Sequence, residues 1–273
     1  MRNNKTSELV LTALFAAIII IMAFTPLGYI PLVVINATII HIPVILGSLF
    51  CGPKKGGFLG FIFGLTSFIK NTTMPSTAAA FVFSPVLAAN MMGVSGVFKS
   101  AFICFVPRIL VGIVPYFVYI GIRKAMVSEK KNIWATILNL LIGLFLMVGC
   151  RAFIIKVFEK NPISATVVWT ISIVIGIAVF AVLEWYTMQK SGNVSGFVYA
   201  GVSGAMINTI IVMGGIYVLY KDAYAEKLEI DPGAVLGVIG GVISFNGVVE
   251  SIVAAIIVAA LGVVLNKLKP IQK

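Results

Sequence analysis

Six side chains supply most of the polar chemistry that this apolar sequence could place at depth: Asn71, Thr72, Arg108, Asn208, Asn246 and Glu250. Amides, a hydroxyl, one guanidinium and one carboxylate suit the capture of a small polar or anionic solute better than the breaking of a bond. Arg108 can neutralise a carboxylate through a bidentate contact. Arg108, Gly112 and Tyr116 are four apart and share a helix face. Phe81, Phe83 and Tyr116 offer rings for stacking. A plainer alternative stays open, in which Arg108 pairs with Glu250 and the amides cap broken helices. His41, the only histidine, lies in an apolar run and reads as a packing residue. No nucleophile sits at short spacing from a base, and no Walker motif, nucleophile elbow or HExxH occurs. The chain is therefore read as no enzyme, with no cofactor. The three cysteines, Cys51, Cys104 and Cys150, are far apart in apolar runs, with neither disulfide nor metal spacing.

The elements that position these groups must be membrane spans. Of 273 residues, 60% are hydrophobic and 11% charged, and the mean hydropathy is +1.10. Several segments reach the ~17–25 apolar residues that cross a bilayer. The expected fold is all-α, a polytopic helical membrane protein. The net charge of +11 sits in short loops beside spans, as cytoplasmic loops do, so no nucleic-acid partner is inferred. MRNNKTSE precedes the first apolar run without a clear small-residue cleavage site, which reads as a retained helix rather than a signal peptide.

In order, spans are expected near Glu8–Thr25, Asn36–Gly52, Gly57–Ile69, Lys99–Ile122, Trp134–Ile155, Ala165–Thr187, Ser195–Tyr220 and Gly233–Leu265. Basic loops at 53–56, 123–133 and 188–194, with Lys267, Lys269 and Lys273, put both termini in the cytoplasm. The loop Lys221 to Asp231 is acidic, as expected outside. The third span stops at Lys70-Asn71-Thr72-Thr73 after only 13 apolar residues, about 20 Å of helix against a ~30 Å hydrocarbon core. Those polar residues are therefore expected below the outer surface, lining a pocket. Residues 72–98 read as a long outer segment that could hold a short helix. The last apolar run is too long for one straight span, and a break is expected at Ser244-Phe245-Asn246-Gly247, leaving Asn246, Glu250 and Ala254 on one face. Arg151 lies near an outer end where it can snorkel. Glu184, beside Trp185 and Tyr186, reads as an interfacial anchor, and the pair of helices over 134–187 reads as peripheral, with few polar groups. Small residues recur every fourth position at Gly56, Gly60 and Gly64, at Gly196, Ala200, Gly204 and Asn208, and at Ala13 and Ala17. Such stripes let helices approach closely.

TALFAAIII, INATIIHIPVILGSLFCGPKKGGFLGFIFGLTSF, NTTMP, FVFSP, FVPRILVGIVPYFVY, GAMINTIIVMGGIYVLY, GAVLGVIGG and NGVVESIVAAIIV resemble the S component of an energy-coupling factor vitamin transporter, most like its pantothenate branch. The resemblance spans about residues 7–125 and 195–268. It implies a six-helix core, 1–125 plus 195–273, into which 126–194 is inserted as a transmembrane hairpin. It implies a vitamin bound from outside, with a transmembrane coupling subunit and two ATPase subunits as partners, and an S component that topples in a bacterial cell membrane. In relatives, alanines spaced AxxxA on the first helix mediate docking; Ala13 and Ala17 match. Pantothenate has a carboxylate, hydroxyls and an amide that suit Arg108 and the asparagines. Folate or a pyridoxine- or pyrimidine-type precursor remains an alternative, as does a stand-alone ion-coupled transporter built on Glu250, or a purely structural membrane protein.

Overall fold

The structure is a computed structural model that describes residues 4–31, 36–158, 161–189 and 192–271. Residues 190–191 and Lys273, which belong to the basic segments named above, lie outside the described residues. The helices are α1 (Asn4–Phe24), α2 (His41–Cys51), α3 (Pro53–Thr73), α4 (Pro85–Met92), α5 (Val94–Ala125), α6 (Lys131–Val157), α7 (Ala165–Gln189), α8 (Gly192–Leu228), α9 (Val235–Val242) and α10 (Val248–Leu268). Among the described residues, six stretches are long and apolar enough to cross a membrane: α1, α5, α6, α7, α8 and the α9–α10 rod. This is a polytopic helical membrane protein. The shorter α2 and the less apolar α3, with lysines at both ends, complete the eight expected rods.

Several boundaries differ from the sequence reading, each for a local reason. Asn36–Thr38 does not begin the second span. It forms a short strand, β2, antiparallel to β1 (Tyr29–Pro31), with Tyr29 opposite Thr38 and Pro31 opposite Asn36. The expected break after Ile69 does not occur either. Asn71 Nδ2, Thr72 Oγ1 and Thr73 Oγ1 donate to the carbonyls of Ser67, Phe68 and Ile69, at 2.8, 2.8 and 2.9 Å. These polar side chains satisfy themselves on their own helix, which runs on to Thr73. It stops at Met74, whose backbone has left the helical region and precedes Pro75, a position where proline disfavours helix. The outer segment holds a 3-10 turn, Ala78–Phe83, and α4. Near the last apolar run, Ile243–Gly247 is a π-helical segment rather than a break, so α9 and α10 form one distorted rod. α8 continues past Tyr220 to Leu228, taking in part of the acidic loop.

Glycine dictates how α3 meets α5. A Cβ at Gly56, Gly60 or Gly64 would lie 2.0, 2.1 or 2.7 Å from the carbonyl oxygens of Gly112, Arg108 and Cys104. Only hydrogen at these positions allows this contact, and it sets Arg108 directly against α3. At the other face, Gly201 meets the backbone of Ala254, joining α8 to α10. Glu8 and Lys55 form an ion pair between α1 and α3. Lys70 Nζ donates to the Ala23 carbonyl at 2.9 Å, where a cation favours the C-terminal end of α1.

The helices α6 and α7 pack mainly on each other. They reach the rest of the molecule through α6, where Gly149 abuts Val248 and Phe153 stacks on Phe245 with centroids 5.1 Å apart. The pair is more polar than its sequence suggests. Glu184 accepts from Thr136 Oγ1 (2.5 Å) and Asn139 Nδ2 (2.8 Å), and the Asn139 amide also reaches Thr187 Oγ1 (2.8 Å). Glu184 thus clamps α7 to α6 instead of serving as a bare interfacial anchor.

Candidate functional site

Pro107 and Arg108 build the centre of the site together. Proline has no N–H, so the carbonyl four residues earlier, on Ile103, loses its helical partner. Arg108 Nη1 donates to that carbonyl at 2.7 Å. The guanidinium is then held between two rings, 5.4 Å from the centroid of Phe63 on α3 and 5.0 Å from that of Phe83. Phe83 is itself fixed by Cys104, whose Sγ donates to the Phe83 carbonyl at 2.9 Å. Arg108 is 6% exposed. It lies 14 residues into α5, about 21 Å along the helix, deeper than expected because α5 starts at Val94 rather than Lys99. A cation at that depth costs several kcal/mol unless polar groups or aromatic faces surround it.

Glu250 lies in the first turn of α10. It is 6% exposed, and its carboxylate accepts from the Thr38 backbone N–H at 3.0 Å and from Thr209 Oγ1 at 3.3 Å. The first bond ties the β1–β2 hairpin onto α10, so the hairpin roofs this end of the bundle. Asn208, next to Thr209, keeps a buried Oδ1 that has no hydrogen-bond partner among the described residues. Asn246 is half-buried in the π-helical segment one turn before Glu250.

The other expected residues are placed less centrally. Thr72 Oγ1 lies 2.7 Å from Ser84 Oγ, next to Phe83, so it borders the site through that hydroxyl. Ser84 also accepts from Leu87 N–H and caps α4. Asn71 has its amide nitrogen engaged on its own helix. Tyr116 lies eight residues beyond Arg108 on α5, about 12 Å away, and packs edge-on against Phe117. The structure thus brings Phe83 against Arg108, with Thr72 at the edge through Ser84, seats Glu250 on Thr38 and Thr209, and leaves Tyr116 apart.

Residues not foreseen include Phe63, Thr38 and the Ile103 carbonyl. The adjacent Pro107-Arg108 pair is a readable signal for the last, since a proline in an apolar helix frees a carbonyl for a neighbouring donor. His41 also changes character. It is fully buried, but both ring nitrogens lack a hydrogen-bond partner among the described residues, so it is not a satisfied packing residue. Ala13 and Ala17 lie on the exposed face of α1, beside Leu14 and Ile21. They do not pack inside this chain.

The model of a family described as the substrate-specific component of ECF transporters matches residues 7–187, more than half of this chain. The pantothenic acid transporter PanT of Lactococcus lactis subsp. cremoris is 40% identical over 130 residues, covering 44% of this chain and 61% of that protein. The pantothenate transporter PanT of Leuconostoc mesenteroides subsp. mesenteroides is 34% identical over 119 residues, covering 42% and 51%. The chain spans a little over half the length of these relatives.

Proposed function

We propose that this chain, which belongs to the family of ECF-transporter substrate-specific components, captures pantothenate from outside a bacterial cell and delivers it for ATP-driven uptake. The observation that carries the substrate reading is Arg108, a guanidinium held between Phe63 and Phe83 at depth. Such a group suits a carboxylate, which it can meet with two parallel hydrogen bonds. Glu250 and the buried Oδ1 of Asn208 are acceptors suited to the hydroxyls and amide of the same ligand. The names of the two PanT relatives point to the same solute. The membrane role is transport rather than catalysis.

The partners in this reading are a transmembrane coupling subunit and two ATPase subunits. Ala13 and Ala17, small and outward-facing, form the docking surface on α1. Both termini face the cytoplasm, and the β1–β2 roof faces outside. Residues 1–125 and 195–273 form the binding core, with 126–194 inserted as the α6–α7 hairpin. The test is calorimetric titration of the purified chain with pantothenate, alongside folate and pyridoxine. Saturable binding of pantothenate at one per chain is the expected result. Binding of another vitamin in its place overturns the substrate, and binding of none overturns capture by this chain.

A further inference from the structure

His41 is fully buried at the start of α2, and neither of its ring nitrogens has a hydrogen-bond partner among the described residues. An apolar side chain would fill that place without leaving two buried polar atoms unmet, which costs free energy. The buried Oδ1 of Asn208 on α8 is in the same state. We propose that His41 and Asn208 together bind the uncharged, hydroxyl-bearing half of the solute whose carboxylate meets Arg108, which rests on the capture of pantothenate proposed above.

Helix register brings the two residues to one level of the bundle. Glu250 accepts from Thr38, just before α2, and from Thr209 of α8. A Cβ at Gly204 of α8 would strike Ile45 of α2, and Phe197 of α8 stacks on Phe50 of α2 with centroids 6.3 Å apart. Residue numbers rise along α2 as they fall along α8, so the two helices are antiparallel. His41 is one turn before Ile45 and Asn208 is one turn after Gly204, each on the same helix face as that contact. They therefore come level with each other, beside the Glu250 carboxylate. The same Gly204 Cβ would meet Pro115 of α5, and a Cβ at Gly215 would meet Ile103, so α5 is antiparallel to α8 as well. Arg108 lies between those two α5 contacts. Measured from the shared contact at Gly204, Arg108 is about 10 Å along the bundle and His41 about 6 Å in the same direction. The guanidinium and the imidazole stand roughly one helical turn apart in depth.

The chemistry of the pair selects a hydroxyl. A hydroxyl accepts from an imidazole N–H and at the same time donates to an amide oxygen. The second nitrogen of a neutral imidazole accepts, and suits another hydroxyl or an amide N–H. A carboxylate has no proton to give to Asn208 Oδ1 or to that nitrogen, so this end rejects it and Arg108 takes it. His41 is then a specificity-determining residue: a solute without the hydroxyl leaves both buried groups unpaired.

His41 is the only histidine of the chain, so growth on isotope-labelled histidine puts one observable imidazole in the full-length protein. In solid-state nuclear magnetic resonance spectra of the unaltered chain in lipid vesicles, saturating pantothenate shifts the ring nitrogens. Dipolar recoupling then places them against labelled carbons of the hydroxyl-bearing half of pantothenate and not against its carboxylate carbon. Calorimetry on the same chain reports whether pantothenate binds. Binding with an unmoved imidazole overturns the contact, and coupling to the carboxylate carbon overturns the orientation. No binding at all overturns the capture reading, and this inference with it. His41→Leu and Asn208→Leu each lower pantothenate affinity about tenfold, the scale of lost hydrogen bonds, with helicity by circular dichroism as the check on folding. Unchanged affinity in either folded variant removes that residue from the pair, and where a variant does not fold the resonance of the unaltered chain decides.

Discussion

At the scale of single residues, the site depends on how a cation is kept at depth. Arg108 has a carbonyl freed by Pro107 on one side and two aromatic faces around it. These groups hold the planar fork in one orientation, and a guanidinium can serve several acceptors because it has five N–H groups. Arg108→Ala should weaken pantothenate binding by about 1.5–3 kcal/mol, the worth of a charged hydrogen bond. Arg108→Lys should restore little of it, since an ammonium cannot reproduce the planar fork. Calorimetry on folded variants checks both, and unchanged affinity in Arg108→Ala removes the residue from the site. Phe83 was legible in the sequence as a candidate ring, and the structure sets it against Arg108. Phe63 was not, because in α3 it reads as one more apolar residue until the glycine stripe brings α3 against α5.

At the scale of elements, the α3–α5 contact fixes the site. The Gly56–Gly60–Gly64 stripe was visible in the sequence as a close-packing surface, but its partner was not. The structure pairs it, residue against residue, with Gly112, Arg108 and Cys104. Gly60→Ala would drive a Cβ to 2.1 Å from the Arg108 carbonyl. That carbonyl is backbone, so the helices must separate. The expected loss is about 1–3 kcal/mol of stability, as for overpacked cores, together with weaker ligand binding because Arg108 moves with α5. A thermal melt in detergent with and without pantothenate reads both effects. Gly121, where an added Cβ meets nothing within 4 Å, is the control: Gly121→Ala should leave both unchanged. The expected breaks at 70–73 and 244–247 failed for a related reason. Polar side chains in an apolar run read as helix breakers, whereas Asn71, Thr72 and Thr73 bond back to their own helix. The run at 243–247 stays helical by widening to π.

At the scale of the whole molecule, the bundle presents two unlike faces. On one, α1 shows Ala13 and Ala17 to the outside, amid exposed Leu14 and Ile21. A smooth face of small residues permits close helix approach without polar locks. Ala13→Trp should prevent co-purification with a coupling subunit and its ATPases, while pantothenate binding by the isolated chain is unchanged. A normal yield of the complex would remove that surface from docking. The other face carries the α6–α7 hairpin, held to the core chiefly through α6.

Composition and hydropathy alone determined that the chain is a helical, polytopic membrane protein, because no soluble core has use for so much apolar surface. The spacing of small residues marked the helix faces that pack closely, and the rarity of polar groups at depth marked Arg108 and Glu250. Tertiary structure decided which of those groups meet. The bond from Thr38 to Glu250 joins residues 212 apart, and the rings around Arg108 come from positions 45 residues before it and 25 residues before it. Helical periodicity reports on neighbours within a turn or two, so contacts across such distances, and the identity of a strand whose partner is another short loop segment, appear only when the helices have packed.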